Sequence, residues 1–515
     1  MLRRRALPAI APLAAAALAG QGRAAASAEG VARIVPALDE HAAGLMRRTG
    51  VPGLALAVAR HDRVLHLRGF GVRAAGRPEP VDADTVFQLA SLSKPVAATV
   101  IAALVGDGVV GWDDPVARHD PGFALADAWT TRAVTLRDLL CHRSGLPDHA
   151  GDLLEDLGFG REEVLHRLRH VPPGPFRAAY AYTNFGFTQA AVAAARAAGQ
   201  PWEELSAARL YRRIGMARTT SRFAQFQAQA NRALGHVPRE GGGWVPGPVR
   251  DADAQSPAGG VSSSARDLSA WLRLQLGRGR LDGAAMVQAA ALDETQRPQV
   301  VNDAAADPAR DGTGFYGLGW NVGRDAEGRV LWNHSGAFNL GAATCVHILP
   351  AEDLAVVVLV NARPVGVAEA LCRACLDLAT AGRVTRDWLP PFAAAFARMS
   401  EPDYGAAVAP GRRPERPQPP LPPGAYAGAY RNALYGEAAV AEEPGGLLAL
   451  HMGPRGRRFP LAHFNRDSFT FQPDGENASG PAAVAFSVGP DGRAGAVTVE
   501  NLDAGGQGRF LRHGG

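Results

Sequence analysis

One short segment, QLASLSKPVA, carries two side chains whose types and spacing suit nucleophilic chemistry. Ser91 and Lys94 have the spacing S-x-x-K, and residues three apart on a helix face the same side. A lysine amine beside a serine hydroxyl can take its proton once burial has lowered the pKa of the amine. The motif also occurs by chance on solvated helices. That alternative is weak here, because among 54 Lys and Arg residues Lys94 is the only lysine.

A second polar pair lies in the segment YTNFG, where a loop is predicted to enter a helix. Tyr182 and Asn184 are two residues apart and can point into one cleft. A tyrosine hydroxyl can relay a proton, and an asparagine amide can hold a substrate carbonyl or orient a lysine. Y-x-N carries little weight alone, since tyrosines commonly anchor loops.

The third segment, NHSGAFN, lies at the end of a predicted strand. Gly336 permits close approach of the backbone to a ligand. The amides of Ser91 and Ala337 together have the potential to form an oxyanion hole. His334 is placed to lean into the same cleft, although a histidine with local hydrogen bonds is the simpler interpretation when it stands alone.

These segments need a scaffold, and the pattern along the chain predicts one. A helix over 31–49 precedes a hairpin around His61 and Asp62, and the chain from about 91 to 290 is mostly helical. Strands then return over 328–336, 341–350 and 353–362, followed by a helix over 366–381. Strands from both ends of this region predict one antiparallel sheet with helices on its faces, an α+β fold.

The chain of 515 residues is long enough for two domains. Proline-rich sequence before 425 indicates a semi-rigid linker, and 425–515 has short strands with regular turns, typical of a β-barrel or sandwich. We divide the chain into a signal segment 1–28, a main domain 29–385, a linker 386–424 and an all-β domain 425–515.

Charge and the N-terminus limit the possible partners. The net charge of +4 is small and the arginines are scattered, which argues against nucleic-acid binding. Arginines before an apolar run and the small residues at 26–28 predict an export signal, hence a periplasmic or secreted protein. The run is too short and alanine-rich for a stable membrane span, although an uncleaved anchor is the alternative. The export route stays open.

The cysteines leave two questions open. Cys372 and Cys375 are three apart on a predicted helix, but a metal or redox site would need partner ligands, and none is visible in the sequence. Buried thiols are therefore the prediction. In an oxidising compartment Cys141 and Cys345 can form a disulfide, and the sequence does not decide whether they do.

Together and in this order, the three segments resemble the serine hydrolases of the class C β-lactamase and penicillin-binding protein superfamily, in its CubicO-type branch. That superfamily carries S-x-x-K, Y-x-N and a third motif, K-T-G or H-x-G. The stretches LLCHRSGLPDH, PAGGVSSSARDLSAWL and YGLGWNV also match. The resemblance covers roughly residues 31–381 and implies a β-lactamase/transpeptidase-like fold.

The resemblance implies roles for each residue. Ser91 would be the nucleophile, Lys94 the base and Tyr182 the proton relay, while Asn184, His334 and Gly336 would contact substrate. No cofactor or metal is required. His334 stands where β-lactamases have lysine, so the resemblance favours small esters or peptides, D-amino-acid peptides among them, as substrates.

The alternatives are a penicillin-binding protein or lactam sensor that acylates without turnover, a weak β-lactamase, and a non-catalytic binding protein. An α/β-hydrolase is disfavoured because no G-x-S-x-G motif is found.

The tail resembles the lipocalin-like domain appended to CubicO-type peptidases, an octamerisation domain in archaeal members. The match rests on a Y-x-G-x-Y opening at 426–430 and on LAHFNRDSF at 461–469. It implies a small all-β barrel and a homo-oligomer formed through it. A barrel that serves only as a packing module is the alternative to any ligand-binding role.

Overall fold

The structure is a computed structural model that describes residues 28–304 and 312–514. The predicted signal segment therefore falls outside the described residues, except for its last position. Among the helices described, none is long and apolar enough to span a membrane.

The strands, in chain order, are β1 (Gly53–Arg60), β2 (Arg63–Gly71), β3 (Val86–Gln88), β4 (His236–Pro238), β5 (Trp244–Pro246), β6 (Ser262–Ser264), β7 (Arg280–Leu281), β8 (Ala284–Ala285), β9 (Val300–Asp303), β10 (Gly314–Tyr316), β11 (Asn321–Arg324), β12 (Val330–Phe338), β13 (Ala342–Leu349), β14 (Leu354–Val360), β15 (Gly428–Asn432), β16 (Gly436–Glu443), β17 (Leu447–Met452), β18 (Arg457–Asn465), β19 (Ser468–Phe471), β20 (Ala482–Val488), β21 (Ala494–Val499) and β22 (Arg509–Arg512).

The α-helices are α1 (Ala28–Thr49), α2 (Ser93–Gly106), α3 (Val116–His119), α4 (Ala128–Ala133), α5 (Leu136–Leu140), α6 (Asp152–Asp156), α7 (Arg161–Arg167), α8 (Asn184–Ala197), α9 (Trp202–Ser206), α10 (Phe223–Gln227), α11 (Ser256–Gly259), α12 (Ala265–Leu276), α13 (Ala289–Thr295), α14 (Val367–Ala381) and α15 (Leu389–Met399).

The predicted sheet from both chain ends is confirmed. Its strand order is β2-β1-β14-β13-β12-β11-β10-β9, and each neighbouring pair is antiparallel. The N-terminal hairpin β1–β2 joins the C-terminal strands through β14, with Leu54 opposite Val360.

Helices cover both faces of this sheet, and the residues of the central strands explain why. All residues of β1, β13 and β14 are buried, as expected for strands with packing partners on both sides. Helices α1 and α14 cover one face, whereas α2, α8 and α12 belong to the core on the other face. The site segments lie on the second face.

The C-terminal domain is a closed barrel of eight strands, β15 to β22. Alternate residues of β16 are buried, as expected for a strand with one face toward a core. Three aromatic rings pack against one another inside the barrel, those of Tyr426, Phe469 and Phe486. The predicted all-β barrel is therefore present, with a core of aromatic side chains.

The segment between the two domains contains more order than its proline content predicts. Helix α15 lies within it and packs on α14, where a side chain at Gly366 would collide with Phe392. Beyond it, the chain from 401 to 424 has only 3₁₀ turns as regular structure. Three of the aromatic or aliphatic residues of α15 and its entry are packed against the sheet layer, namely Trp388, Leu389 and Phe392.

Candidate active site

Ser91 lies in a sharp turn that connects β3 to α2. The turn is a 3₁₀ helix, Ala90–Leu92, and Ala90 has a φ of 49°, a left-handed conformation that is uncommon for a residue with a side chain. Pro95 does not break α2, because it is the third residue of the helix, where the backbone N–H has no intrahelical partner. Ser91 and Lys94 therefore stay on one side of a continuous turn and helix, as predicted.

Lys94 is fully buried, and its amine has three partners. The Nζ atom lies 2.7 Å from Asn184 Oδ1, 3.0 Å from the Ala258 carbonyl oxygen and 3.1 Å from Ser91 Oγ. The first two partners can only accept hydrogen bonds. A neutral amine has two N–H groups to donate to them, and its lone pair then faces the Ser91 hydroxyl.

The surroundings of Lys94 favour that neutral form. Burial lowers the pKa of Lys94 well below its ordinary value, because desolvation penalises the charged amine. The charge of Asp152 opposes this shift, and the charge of Arg250 adds to it. No carboxylate among the described residues is in direct contact with the amine, so desolvation dominates. An amine of this kind can accept the proton of a neighbouring hydroxyl.

Tyr182 and Asn184 converge on the same point from the start of α8. The Tyr182 hydroxyl donates to Ser91 Oγ at 2.8 Å, and burial raises the pKa of Tyr182, which keeps the phenol protonated. Asn184 is the first residue of α8, and its Nδ2 donates to Asp152 Oδ2 at 2.8 Å. Asp152 thereby orients the amide so that its oxygen faces Lys94.

His334 lies in β12 with its ring buried and both nitrogens engaged. Nδ1 lies 2.7 Å from the Ser335 carbonyl oxygen, which can only accept, so Nδ1 carries the proton. Nε2 then accepts from the Tyr316 hydroxyl at 2.9 Å. Burial lowers the pKa of His334 to about 3, so this ring is neutral at any ordinary working pH.

The structure explains why residue 336 is a glycine, which the sequence did not reveal. A Cβ atom there would lie 2.1 Å from the Leu89 carbonyl oxygen and 3.0 Å from the Leu92 nitrogen. The glycine lets β12 pack directly on the backbone of the Ser91 turn. Strand β11 pairs only with Asn333 and the residues before it, so the following residues of β12 border the turn instead. Ala337 is in this part of the strand, and its oxyanion role stays a prediction.

Several residues of the site were not predicted from the motifs. The fold adds groups that hold or surround the predicted ones: His142, Asp152, Ala258, Tyr316 and Thr344. His142 Nδ1 accepts from the Thr183 backbone amide at 3.1 Å, and its ring lies 4.5 Å from that of Tyr182. His142 occurs within a stretch that matched the family, but nothing in the sequence indicated its contact.

A largely buried cation, Arg250, lies near this site and connects it to the barrel. It pairs with Glu155 at 2.7 Å and approaches Glu476 of the barrel at 3.6 Å. Glu476 also accepts from the backbone amides of Asn339 and Leu340, in the turn directly after β12. The barrel therefore contacts the strand that carries His334 and Ala337.

The cysteines are all free and buried. Cys141 belongs to the core on the helical side of the sheet, and Cys345 to the core under α14. They lie on opposite faces, so the disulfide that the sequence left open does not form in this structure. The predicted burial of Cys372 and Cys375 in a helix is confirmed.

Comparison with known proteins agrees with the geometry. A family described as Beta-lactamase matches residues 38–378, and a domain of unknown function (DUF3471) matches residues 412–510. Penicillin-binding protein 4 of Amycolatopsis lactamdurans is 30% identical over 324 residues, which are 60% of this chain and 81% of that protein. Esterase EstB of Burkholderia gladioli is 37% identical over 144 residues, 25% of this chain and 36% of the esterase.

Solved structures share the fold. The octameric penicillin-binding protein homologue from Pyrococcus abyssi aligns with a TM-score of 0.59 at 19% identity, over 93% of this chain and 100% of that one. A class C β-lactamase from Rhodobacter sphaeroides aligns with a TM-score of 0.55 at 23% identity, over 66% of this chain and 98% of that one. The alignment with the Pyrococcus abyssi protein spans both domains, and the alignment with the Rhodobacter sphaeroides enzyme covers about as many residues as the main domain contains.

The family match covers well over half of the chain, and the fold and motif order agree with it. The predicted superfamily and fold are therefore confirmed, and the chain belongs to the Beta-lactamase family of serine hydrolases, together with penicillin-binding proteins and class C β-lactamases.

Proposed function

We propose that this protein hydrolyses small esters or peptides through an acyl-enzyme on Ser91, with Lys94 as the base. The Ser91 proton passes to Lys94 Nζ as Oγ attacks the substrate carbonyl carbon. Two backbone amides, those of Ser91 and Ala337, stabilise the oxyanion, and each such donor contributes about 3–4 kcal/mol in known hydrolases. The leaving group takes a proton from the Tyr182–Lys94 pair, and water then releases the acyl group by the reverse transfers.

The observation that carries this proposal is the hydrogen-bond network of Lys94. Its amine is buried and contacts no carboxylate of the residues that the structure describes. Its two acceptor-only partners are placed so that a lone pair faces Ser91. The Tyr182 hydroxyl contacts the same Oγ and stays protonated. A purely structural lysine would be expected to neutralise a carboxylate or reach solvent, and within the described ranges Lys94 does neither.

The neutral His334 supports a choice of substrate class. A cation in this strand would attract a substrate carboxylate, whereas a neutral imidazole whose Nε2 already accepts from Tyr316 has no charge to offer. The other cation beside the site, Arg250, already pairs with Glu155. Esters and peptides without a carboxylate at this position are therefore favoured over lactams, which carry one.

A substrate panel tests the proposal. Purified protein is assayed with p-nitrophenyl esters of short acids, with D- and L-aminoacyl p-nitroanilides and with nitrocefin, alongside Ser91→Ala as the matched control. We expect turnover of at least one ester or anilide, slow turnover of nitrocefin, and no turnover above background by the Ser91→Ala variant. Nitrocefin hydrolysis as efficient as that of the best ester would contradict the substrate class. Activity that survives in Ser91→Ala would contradict the mechanism.

A second candidate function is acylation by β-lactams without efficient turnover. The likeness to penicillin-binding protein 4 of Amycolatopsis lactamdurans favours it. Intact-protein mass measured over time with a fluorescent penicillin separates the two functions. A stable adduct on Ser91, with no ester or anilide turnover, supports the second function.

We further propose that residues 1–28 direct export to the periplasm or medium, and that the barrel mediates a homo-oligomer. The octameric state named for the Pyrococcus abyssi homologue supports the oligomer. Light scattering of the full chain and of a chain ending near Val408 tests it. A full chain that is monomeric at micromolar concentration would contradict it.

A further inference from the structure

Strands β12 and β13 present different chemistry on their two faces. On the Ser91 side, the Thr344 hydroxyl donates to the Leu89 carbonyl oxygen at 2.7 Å. Successive side chains of a strand point to opposite faces, so Cys345 and His347 lie together on the other face. That face is covered by α14, and Cys372 of this helix lies against Cys345, with its Sγ 3.5 Å from the Cys345 carbonyl oxygen.

Three ligand atoms meet between the sheet and α14. One donor atom each from Cys345, His347 and Cys372 lie within 4.8 Å of one another, and Cys345 Sγ is 3.9 Å from His347 Nδ1. All three residues are buried, with exposures of 1%, 4% and 0%. Tetrahedral zinc with sulfur at about 2.3 Å and nitrogen at about 2.0 Å places its donors roughly 3.5–3.8 Å apart. The cluster is therefore close to a zinc geometry, and side-chain adjustments of about 1 Å complete it.

A polar group beside the cluster points to a ligand as well. Glu369 precedes Cys372 by one helical turn and is buried, yet neither carboxylate oxygen accepts a hydrogen bond within ordinary distance from a residue that the structure describes. A buried carboxylate without a partner is unfavourable unless something positive meets it.

Charge balance favours a divalent ion. Two thiolates neutralise Zn²⁺, and the neutral imidazole of His347 adds no charge. The complex as a whole is then neutral, as an apolar layer between sheet and helix requires. Thiolate and imidazole ligands select zinc over magnesium or calcium, which prefer oxygen ligands.

We propose that Cys345, His347 and Cys372 bind a zinc ion on the face of the sheet opposite Ser91. The three ligands come from β13 and α14, so the ion would join this helix to the sheet. The sequence did not reveal this site, because the only cysteine or histidine close to Cys372 in the sequence is Cys375. In the fold, Cys372 instead lies beside Cys345 and His347 of β13.

Metal analysis of the full chain tests the proposal. The protein, purified without chelator, is assayed for zinc and titrated with CoCl₂, whose absorption reports tetrahedral thiolate ligation. We expect one equivalent of metal and a lower Tm after chelation. Cys372→Ser and His347→Asn should each weaken metal binding by about a hundredfold or more. Loss of a residue that only hydrogen-bonds to a metal ligand already costs about tenfold to a hundredfold in affinity. Cys375→Ser is the matched control, a buried thiol on the same helix, and should bind normally.

Three results would overturn the proposal. The first is a wild-type protein that binds no stoichiometric metal, and the second is a folded Cys372→Ser variant that binds metal as tightly as the wild type. The third is a disulfide between Cys345 and Cys372, found by peptide mapping without reductant. If Cys372→Ser fails to fold, His347→Asn and the cobalt spectrum of the wild type still decide, because a spectrum without thiolate charge-transfer bands excludes the cysteine ligands.

Discussion

Lys94 and Arg250 are basic side chains beside the same site, one fully buried and the other largely buried, and their partners differ. Arg250 contacts Glu155 and lies near Glu476, and these carboxylates raise the pKa of its guanidinium against the effect of burial. Among the described residues, Lys94 forms hydrogen bonds with an amide, a carbonyl and a hydroxyl, and burial lowers its pKa. The partners, rather than the depth of burial, decide which cation keeps its charge.

The comparison explains the solitary lysine of the sequence. A guanidinium does not lose its proton in proteins, so arginine serves wherever a permanent charge is wanted, as at Arg250. A group that must become neutral has to be an amine. Arg250 also contributes to that neutrality, because its charge lowers the pKa of Lys94.

The largest effect on activity is expected when Lys94 is replaced by arginine. Lys94→Arg places a permanent charge where a neutral amine is required and removes the ability to take a proton. We expect a folded protein whose kcat/KM for its best ester falls at least about a hundredfold, the lower range for loss of a general base. Circular dichroism checks the fold, and Ser91→Ala should be at least as damaging. Near-normal activity of Lys94→Arg would show that Lys94 is not the base.

Removing the charge of Arg250 should reduce stability. Arg250→Met leaves Glu155 and Glu476 buried without a cation, which lowers the free energy of unfolding by about 3–5 kcal/mol. Burial already raises the pKa of both carboxyl groups to about 7. A carboxyl group whose pKa is raised in the folded state loses stability as pH rises from its unfolded pKa, near about 4.3, through the folded pKa. Urea unfolding should therefore show a larger deficit at pH 8 than at pH 6, and equal deficits would contradict this.

The two charges that act on Lys94 should move the pH profile in opposite directions. Arg250 lowers the pKa of Lys94, so Arg250→Met moves the acidic limb of kcat/KM to higher pH. Asp152 raises that pKa, so Asp152→Asn moves the same limb to lower pH. Arg161→Met is the matched control, because it breaks a partly buried ion pair with Glu203 that does not act on Lys94. Shifts of the same sign in both variants would show that Lys94 is not the group that titrates in this limb.

The smallest effect is expected from Glu476, the barrel residue of the Arg250 cluster. The Asn339 and Leu340 amides donate to different oxygens of Glu476, so Glu476→Gln keeps one of the two acceptors, and Arg250 keeps Glu155. We expect a loss of at most about 1 kcal/mol in unfolding free energy and activity within a few-fold of wild type. Glu476→Ala leaves these two amides without an acceptor and should cost about 1–3 kcal/mol. If Glu476→Gln is as damaging as Glu476→Ala, its charge matters more than its hydrogen bonds.

The sequence predicted the scaffold because local periodicity and composition carry that information. The hairpin around His61, the three strands from Val330 to Val360 and the helix that follows all have patterns that one window of residues displays. Helix α15 was missed because it falls within residues 386–424, which were assigned to a linker. Its two prolines, Pro390 and Pro391, lie in the first turn of the helix, where proline is tolerated.

The sequence by itself determined which side chains were candidates for chemistry: Ser91, Lys94, Tyr182, Asn184 and His334. It did so through residue type and spacing, and through the contrast of one lysine with many arginines. Only the tertiary structure decided their protonation, since the pKa of Lys94 depends on Asp152 and Arg250, which are distant in sequence. The same holds for Cys345, His347 and Cys372, which meet only when α14 packs on the sheet. Electrostatic and coordination chemistry act over a few ångströms of space, and neighbours at that distance are set by packing.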